Sequence, residues 1–115
     1  MIFRLRQYKV APGKIEVFNT FFREHLLPVQ KLYGTRLIGR WPTEDGECIA
    51  ALWIYDSFEQ YESIQAKVRV DPDLIAALEF RRGNLDPLFT EREEAFMVST
   101  IPLNWTELSH LEESQ

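Results

Sequence analysis

ALWIYDSFEQYESI, residues Ala51 to Ile64, changes its periodicity half-way along. The run that leads into it, Cys48 to Tyr55, is apolar throughout, as in a central strand covered on both faces. From Phe58 onward the apolar residues fall at Phe58, Tyr61, Ile64 and Val68, which is one face of a helix. Asp56-Ser57 stands at the join. Ser57 and Gln60 have capping-box spacing: the hydroxyl accepts from an orphan backbone N–H, and Gln60 can reach back. Either Asp56 or Ser57 is therefore an N-cap, and the stretch reads as a strand that stops and a helix that starts.

Working outward, IFRLRQY (Ile2 to Tyr8) alternates and reads as a strand that ends at Ala11-Pro12-Gly13. A helix follows, with Ile15, Phe18, Phe22, Leu26 and Val29 on one face and a kink expected near Leu27 because Pro28 lies inside the pattern. Thr35 to Trp41 is the next strand. The polar turn Thr43 to Glu47, with Asp45-Gly46, joins it to Cys48–Tyr55 as a hairpin. After the helix opened by Ser57, Asp71-Pro72 caps a short third helix over Leu74, Ile75, Ala77 and Leu78 that ends near Gly83. Asn84 to Thr90 reads as loop or a helical turn, and Glu94 to Ile101 as the last strand. The order strand, helix, hairpin, helix, strand is the split βαβ pattern. The fold class is α+β, ferredoxin-like, with an antiparallel sheet whose first and third strands are central. Residues 1–102 form one domain, and 103–115 form a tail that frays or docks as a short helix.

The 115 residues suit a single domain with one modest core. The net charge of −5 speaks against binding to nucleic acid or to anionic membranes. A single cysteine, Cys48, allows neither an internal disulfide nor a cysteine cluster for zinc. No leader and no membrane-length apolar run is visible, so a cytoplasmic protein is expected. Asn104-Trp105-Thr106 matches a glycosylation sequon, read as chance.

Helices cover only one face of such a sheet. Phe3 and Leu5 form the natural helix-side pair, which puts Arg4, Arg6 and Tyr8 on the open side. On the third strand the two parity sets are Cys48, Ala50, Leu52, Ile54 and Ile49, Ala51, Trp53, Tyr55; either is too apolar to face water. An open face of this kind calls for a partner. Two such sheets facing each other enclose a barrel with a mixed polar and aromatic interior.

MIFRLRQYKVAPGK resembles the opening strand and Pro-Gly turn of the NIPSNAP family, through Leu5, Arg6, Tyr8, Pro12, Gly13 and Lys14. LIGRW, ALWIYDSFEQYE and the Asp71-Pro72 pair are similar too. The resemblance covers roughly residues 1–73 well and the last strand weakly. It implies a dimeric α+β barrel, hence a homodimer, and no settled chemistry. Small monooxygenases and haem-degrading enzymes share the wider barrel group, but fold alone transfers no activity.

The candidate ligand-binding residues are Arg4, Arg6, Tyr8, Trp53 and Tyr55. Guanidinium groups in a desolvated cavity would pair with a carboxylate or phosphate, and the aromatic rings would line the pocket. The plainer reading pairs the arginines with a partner chain's acids and packs the rings at the dimer centre. Arg36 and Arg40 share parity, on a face left open. His25 reads as a boundary histidine rather than a haem ligand, and His110 as solvated. Cys48 reads as a buried small hydrophobe rather than a nucleophile. Glu91, Glu93 and Glu94 around Arg92, like Glu112 and Glu113, read as a solvated charged face. No metal or cofactor is expected. The reading that follows is a homodimer binding a small organic ligand in the barrel. The rivals are a cofactor-independent or haem-dependent monooxygenase and an interaction protein without a ligand.

Overall fold

Four strands pair antiparallel in the order β2-β3-β1-β4: β1 Ile2–Val10, β2 Arg36–Pro42, β3 Cys48–Tyr55 and β4 Phe89–Met97. This is a computed structural model, and it describes residues 1–102. The tail at 103–115, with its sequon, His110, Glu112 and Glu113, lies outside the described residues. β1 and β3 are central, as the split βαβ pattern predicts, and the hairpin joins β2 to β3.

The junction in ALWIYDSFEQYESI forms as expected. β3 ends at Tyr55 and α3 spans Phe58–Arg69. Ser57 is its N-cap: Ser57 Oγ accepts from the backbone N–H of Gln60 at 3.0 Å. Gln60 reaches back one residue further than a standard capping box, and its Oε1 accepts from the backbone N–H of Asp56 at 2.6 Å. Asp71 caps α4 (Pro72–Asn84), its carboxylate accepting from the N–H groups of Asp73 and Leu74. That helix runs on through Gly83, past the expected end, and closes with Leu85 as C-cap.

The segment after β1 is one helical path in three parts: α1 Ile15–Phe21, a π-turn Phe22–Leu26 and α2 Leu27–Leu32. The irregularity expected near Leu27 sits one turn upstream of Pro28. Proline has no N–H to donate, so the ladder cannot run on unbroken, and a wider turn takes up the mismatch.

Two expectations fail. β4 starts at Phe89, within the stretch read as loop, and ends at Met97. Its charged run Glu91–Glu94 pairs along β1 as an exposed edge strand, where acids and arginines blunt unwanted pairing. The second failure concerns the faces. Phe3, Ile38 and Ile54 cluster with Leu52, all strand residues, on the face away from the helices. Leu5 lies opposite Leu52 and shares that face. Arg4, Arg6 and Tyr8 lie opposite Trp53, Ala51 and Ile49, and those three pack against helix residues such as Phe18, Val29 and Val68. The arginines therefore face the helices, not the open side. Parity groups the residues correctly but does not say which group the helices meet; here the helices present aromatic rings that accept guanidinium groups.

Arg36 and Arg40, alike by parity, stand on opposite faces. A bulge sets Arg36 opposite Ile54 and Leu37 opposite Trp53, yet Gly39 opposite Leu52 and Arg40 opposite Ala51. The extra residue, Ile38, turns the second half of β2 over.

Candidate functional site

Between the helix-facing side of the sheet and the helices lies a cavity of about 470 Å³. Arg4, Arg6, Tyr8 and Trp53 line it, so four of the five residues singled out from the sequence meet at one place. Tyr55 shares their face but is fully buried behind Tyr61, ring centroids 5.1 Å apart, and is not part of the lining.

The cavity is strongly cationic although the chain is acidic. Six arginines line it, Arg4, Arg6, Arg40, Arg69, Arg81 and Arg92, against one acid, Glu94. Cross-strand register arranges the inner members in rows. Arg40 of β2 and Arg6 of β1 both stand opposite Ala51 of β3, and Glu94 of β4 stands beyond Arg6. Strands lie ~4.8 Å apart, so the Cα atoms of Arg6 and Arg40 are about 10 Å apart, with only a methyl group between them.

The three inner arginines are not equally satisfied. Glu94 turns from its own row to Arg4 and accepts from its Nε, while the Arg4 guanidinium lies over the Tyr61 ring, 4.9 Å from the centroid. Burial by itself would lower the Arg4 pKa, but the bond to Glu94 and the nearby charges outweigh it and the value is raised. Arg6 has lost Glu94 to its neighbour. Its Nε is buried with no hydrogen-bond partner among the described residues, and its pKa is lowered by burial, with the positive charges of Arg4 and Arg92 adding to the effect. Arg40 stacks between two rings, 4.9 Å from the Phe18 centroid and 4.3 Å from that of Phe22, and donates from Nη1 to Asn19 Oδ1 at 2.5 Å. Its Nη2 is buried without a hydrogen-bond partner among the described residues. Burial brings Arg40 down to about 10, so it stays charged at neutral pH.

Local sequence explains this shape. Phe22 and Leu26 bound the π-turn and both line the cavity, as does Phe18 one turn earlier. π-turns recur at functional sites because they re-aim side chains within a helix. Tyr8, Phe18 and Phe89 form a three-ring cluster with centroids 5.1 to 5.8 Å apart at one end. Arg40 is the residue that parity alone left undecided, because the bulge at Ile38 was hidden. Arg81 on α4 lies 5.8 Å from the Phe89 ring centroid, and its Nε is 3.3 Å from Asp86 Oδ1, an ion pair without a hydrogen bond's alignment. His25 is exposed on the π-turn, stacked near Phe21, and is not in the lining. Cys48 is a half-buried free thiol at the start of β3. Among the described residues no three His, Cys, Asp or Glu side chains gather as a metal site, and no helix is long and apolar enough to cross a membrane.

Residues 3–100 match the NIPSNAP family model. The chain belongs to the NIPSNAP family. A crystal structure of an uncharacterized NIPSNAP domain protein from Burkholderia xenovorans superposes with a TM-score of 0.75 at 23% identity, covering 89% of this chain and 99% of that one. A NIPSNAP family protein with unknown function from Agrobacterium tumefaciens gives 0.73 at 22%, covering 84% and 86%. A putative antibiotic biosynthesis monooxygenase from Nitrosomonas europaea gives 0.63 at 11%, covering 88% and 100%. At these identities the likeness is one of fold. No curated protein matches the sequence. The NIPSNAP fold here holds its arginine cavity under the helices, on the side opposite to the one that a barrel interior would occupy.

Proposed function

We propose that this NIPSNAP protein is a cytoplasmic homodimer that binds a small organic anion in the cavity between sheet and helices. Arg6 and Arg40 hold the anionic group, and the aromatic rings hold its apolar body. One observation carries the reading: Arg6 Nε and Arg40 Nη2 are buried on either side of Ala51 without a hydrogen-bond partner among the described residues. An under-paired buried charge costs several kcal/mol, and an anion over Ala51 offsets that cost for both arginines at once. A carboxylate suits the fork of a guanidinium.

The second sheet face supports the homodimer. Phe3, Ile38, Leu52 and Ile54 form an apolar patch there, and Trp41 and Met97 extend it while 45% and 39% exposed. A self-complementary apolar sheet face suits an isologous contact. The unpaired Cys48 is in keeping with a reducing compartment.

Calorimetric titration with benzoate tests the site. Binding should be present in the natural chain and lost in Arg40→Met. Failure of benzoate, phenylacetate and 3-phenylpropanoate alike to bind would end the reading. Light scattering should give about twice the 13.6 kDa of one chain, and Leu52→Asp should halve it. Oxygen uptake with a bound substrate would instead favour a monooxygenase.

A further inference from the structure

We propose that the ligand carries two separated anionic groups, one over Ala51 between Arg6 and Arg40 and a second at the cavity rim between Arg92 and Arg81. This rests on the proposed anion site and adds the class of ligand. Arg92 stands opposite Tyr8 in the register, one pleat step along from the Arg6 row, and lines the same cavity. It makes no ion pair among the described residues and is exposed. Arg81 reaches the same corner from α4, over the Phe89 ring, which packs in turn on Tyr8. Asp86 offsets the charge of Arg81 in part, and nothing of the kind offsets Arg92.

The rim and the inner pair are thus distinct stations. Two residues along a strand span ~6.8 Å, and two strand spacings add ~9.6 Å, so the diagonal from Ala51, beneath the inner station, to Arg92 is about 12 Å at the backbone, which side chains reaching inward from both ends shorten. That separation suits two carboxylates on opposite sides of a small apolar body, and the rings of Tyr8, Phe18 and Phe89 lie beside that path. Like charges left facing each other across this distance are unfavourable; Arg92 already opposes protonation of Arg6. A dianion relieves both stations, whereas a monoanion leaves the rim unmatched.

Benzoate, phthalate and terephthalate separate the cases, because they share one ring and differ in the number and spacing of carboxylates. Terephthalate should bind the full chain at least tenfold more tightly than benzoate or phthalate. Arg92→Gln should bring the terephthalate-to-benzoate ratio close to one, while Arg40→Met abolishes binding of all three. If benzoate binds through Arg40 but terephthalate binds no better, the second station is wrong and the anion site stands. If phthalate gains as much as terephthalate, the effect is one of net charge and the two-station geometry is wrong. If none of the three binds, the anion site itself fails and takes the second station with it.

Discussion

Arg6 and Arg40 stand on different strands, yet both face the same residue, Ala51, from its two sides. Each keeps a buried guanidinium nitrogen without a hydrogen-bond partner among the described residues. Arg4, two residues from Arg6, does not share that state, because Glu94 serves it instead.

This asymmetry predicts opposite trade-offs for two similar substitutions. Arg40→Met removes two cation–π contacts and the hydrogen bond to Asn19, together ~3 kcal/mol, but also an under-paired buried charge that costs a similar amount, so folding stability should stay within about 1 kcal/mol of the natural chain. Anion binding should be lost. Arg4→Met should retain measurable binding but release Glu94 to pair with Arg6, weakening affinity by competition. Urea melts and titration of both variants check this; strong destabilisation by Arg40→Met would mean that its buried nitrogen has a partner after all.

The cap at the strand-to-helix junction gives a second test. Ser57→Ala should cost about 1 kcal/mol, because Ser57 Oγ takes the N–H of Gln60. Asp56→Ala should cost less. Its side chain meets Arg36 and the Gln60 amide in an exposed network, and neither contact satisfies a helix N–H. Denaturant melts that rank the two the other way would move the cap to Asp56.

Trp41 lies flat over Gly39 on the apolar sheet face. A Cβ at Gly39 would fall 2.1 Å from Trp41 Cζ2, so the indole has to move before alanine fits. Gly39→Ala should destabilise the chain by about 1–3 kcal/mol and weaken the dimer that this face is proposed to form. Adding Trp41→Ala should recover part of the folding stability, since the clash goes with the indole. Strictly additive losses in the melts would place Trp41 elsewhere in solution.

What the sequence disclosed depended on how local the cause was. The Ser57 cap, the Asp71-Pro72 start and the β2–β3 hairpin each rest on a few adjacent residues, and each formed where expected. The grouping of Arg4, Arg6, Tyr8 and Trp53 was also legible, because strand parity and pairing keep them on one side. The side itself was not. Parity is symmetric between the two faces, and the deciding feature, rings on α1 and the π-turn that stack on Arg40, comes from another part of the chain. Arg40 was further concealed by one extra residue at Ile38, which no periodicity in a seven-residue strand can expose. The start of β4 at Phe89 was hidden because an edge strand and a loop share the charged composition of Glu91 to Glu94, read as a solvated face although Glu94 turns inward to Arg4.

The anion site also implies a dependence on pH. Burial holds Arg40 at about 10 in the empty cavity, with Tyr8 the neighbour that acts against the shift. An anion beside it favours the protonated guanidinium, so the pKa in the complex lies above that of the empty protein. Benzoate affinity should therefore be level between about pH 6 and pH 9, then fall by roughly tenfold per unit above about pH 10 until the complex titrates as well. Stability runs the other way for this group. Its folded value is depressed, so the unfolded chain binds more protons between about 10 and the ordinary, higher arginine value, and this one residue makes the unliganded fold more stable as pH rises through that window. The Tyr8 phenol faces the same guanidinium and is the neighbour that could imitate the loss of affinity. Tyr8→Phe settles the source: titrations from pH 7 to pH 11 should show the same fall with the phenol gone. If the fall disappears in Tyr8→Phe, the Tyr8 phenol and not Arg40 is its source. If affinity stays level to pH 11 in both proteins, Arg40 does not hold the anion.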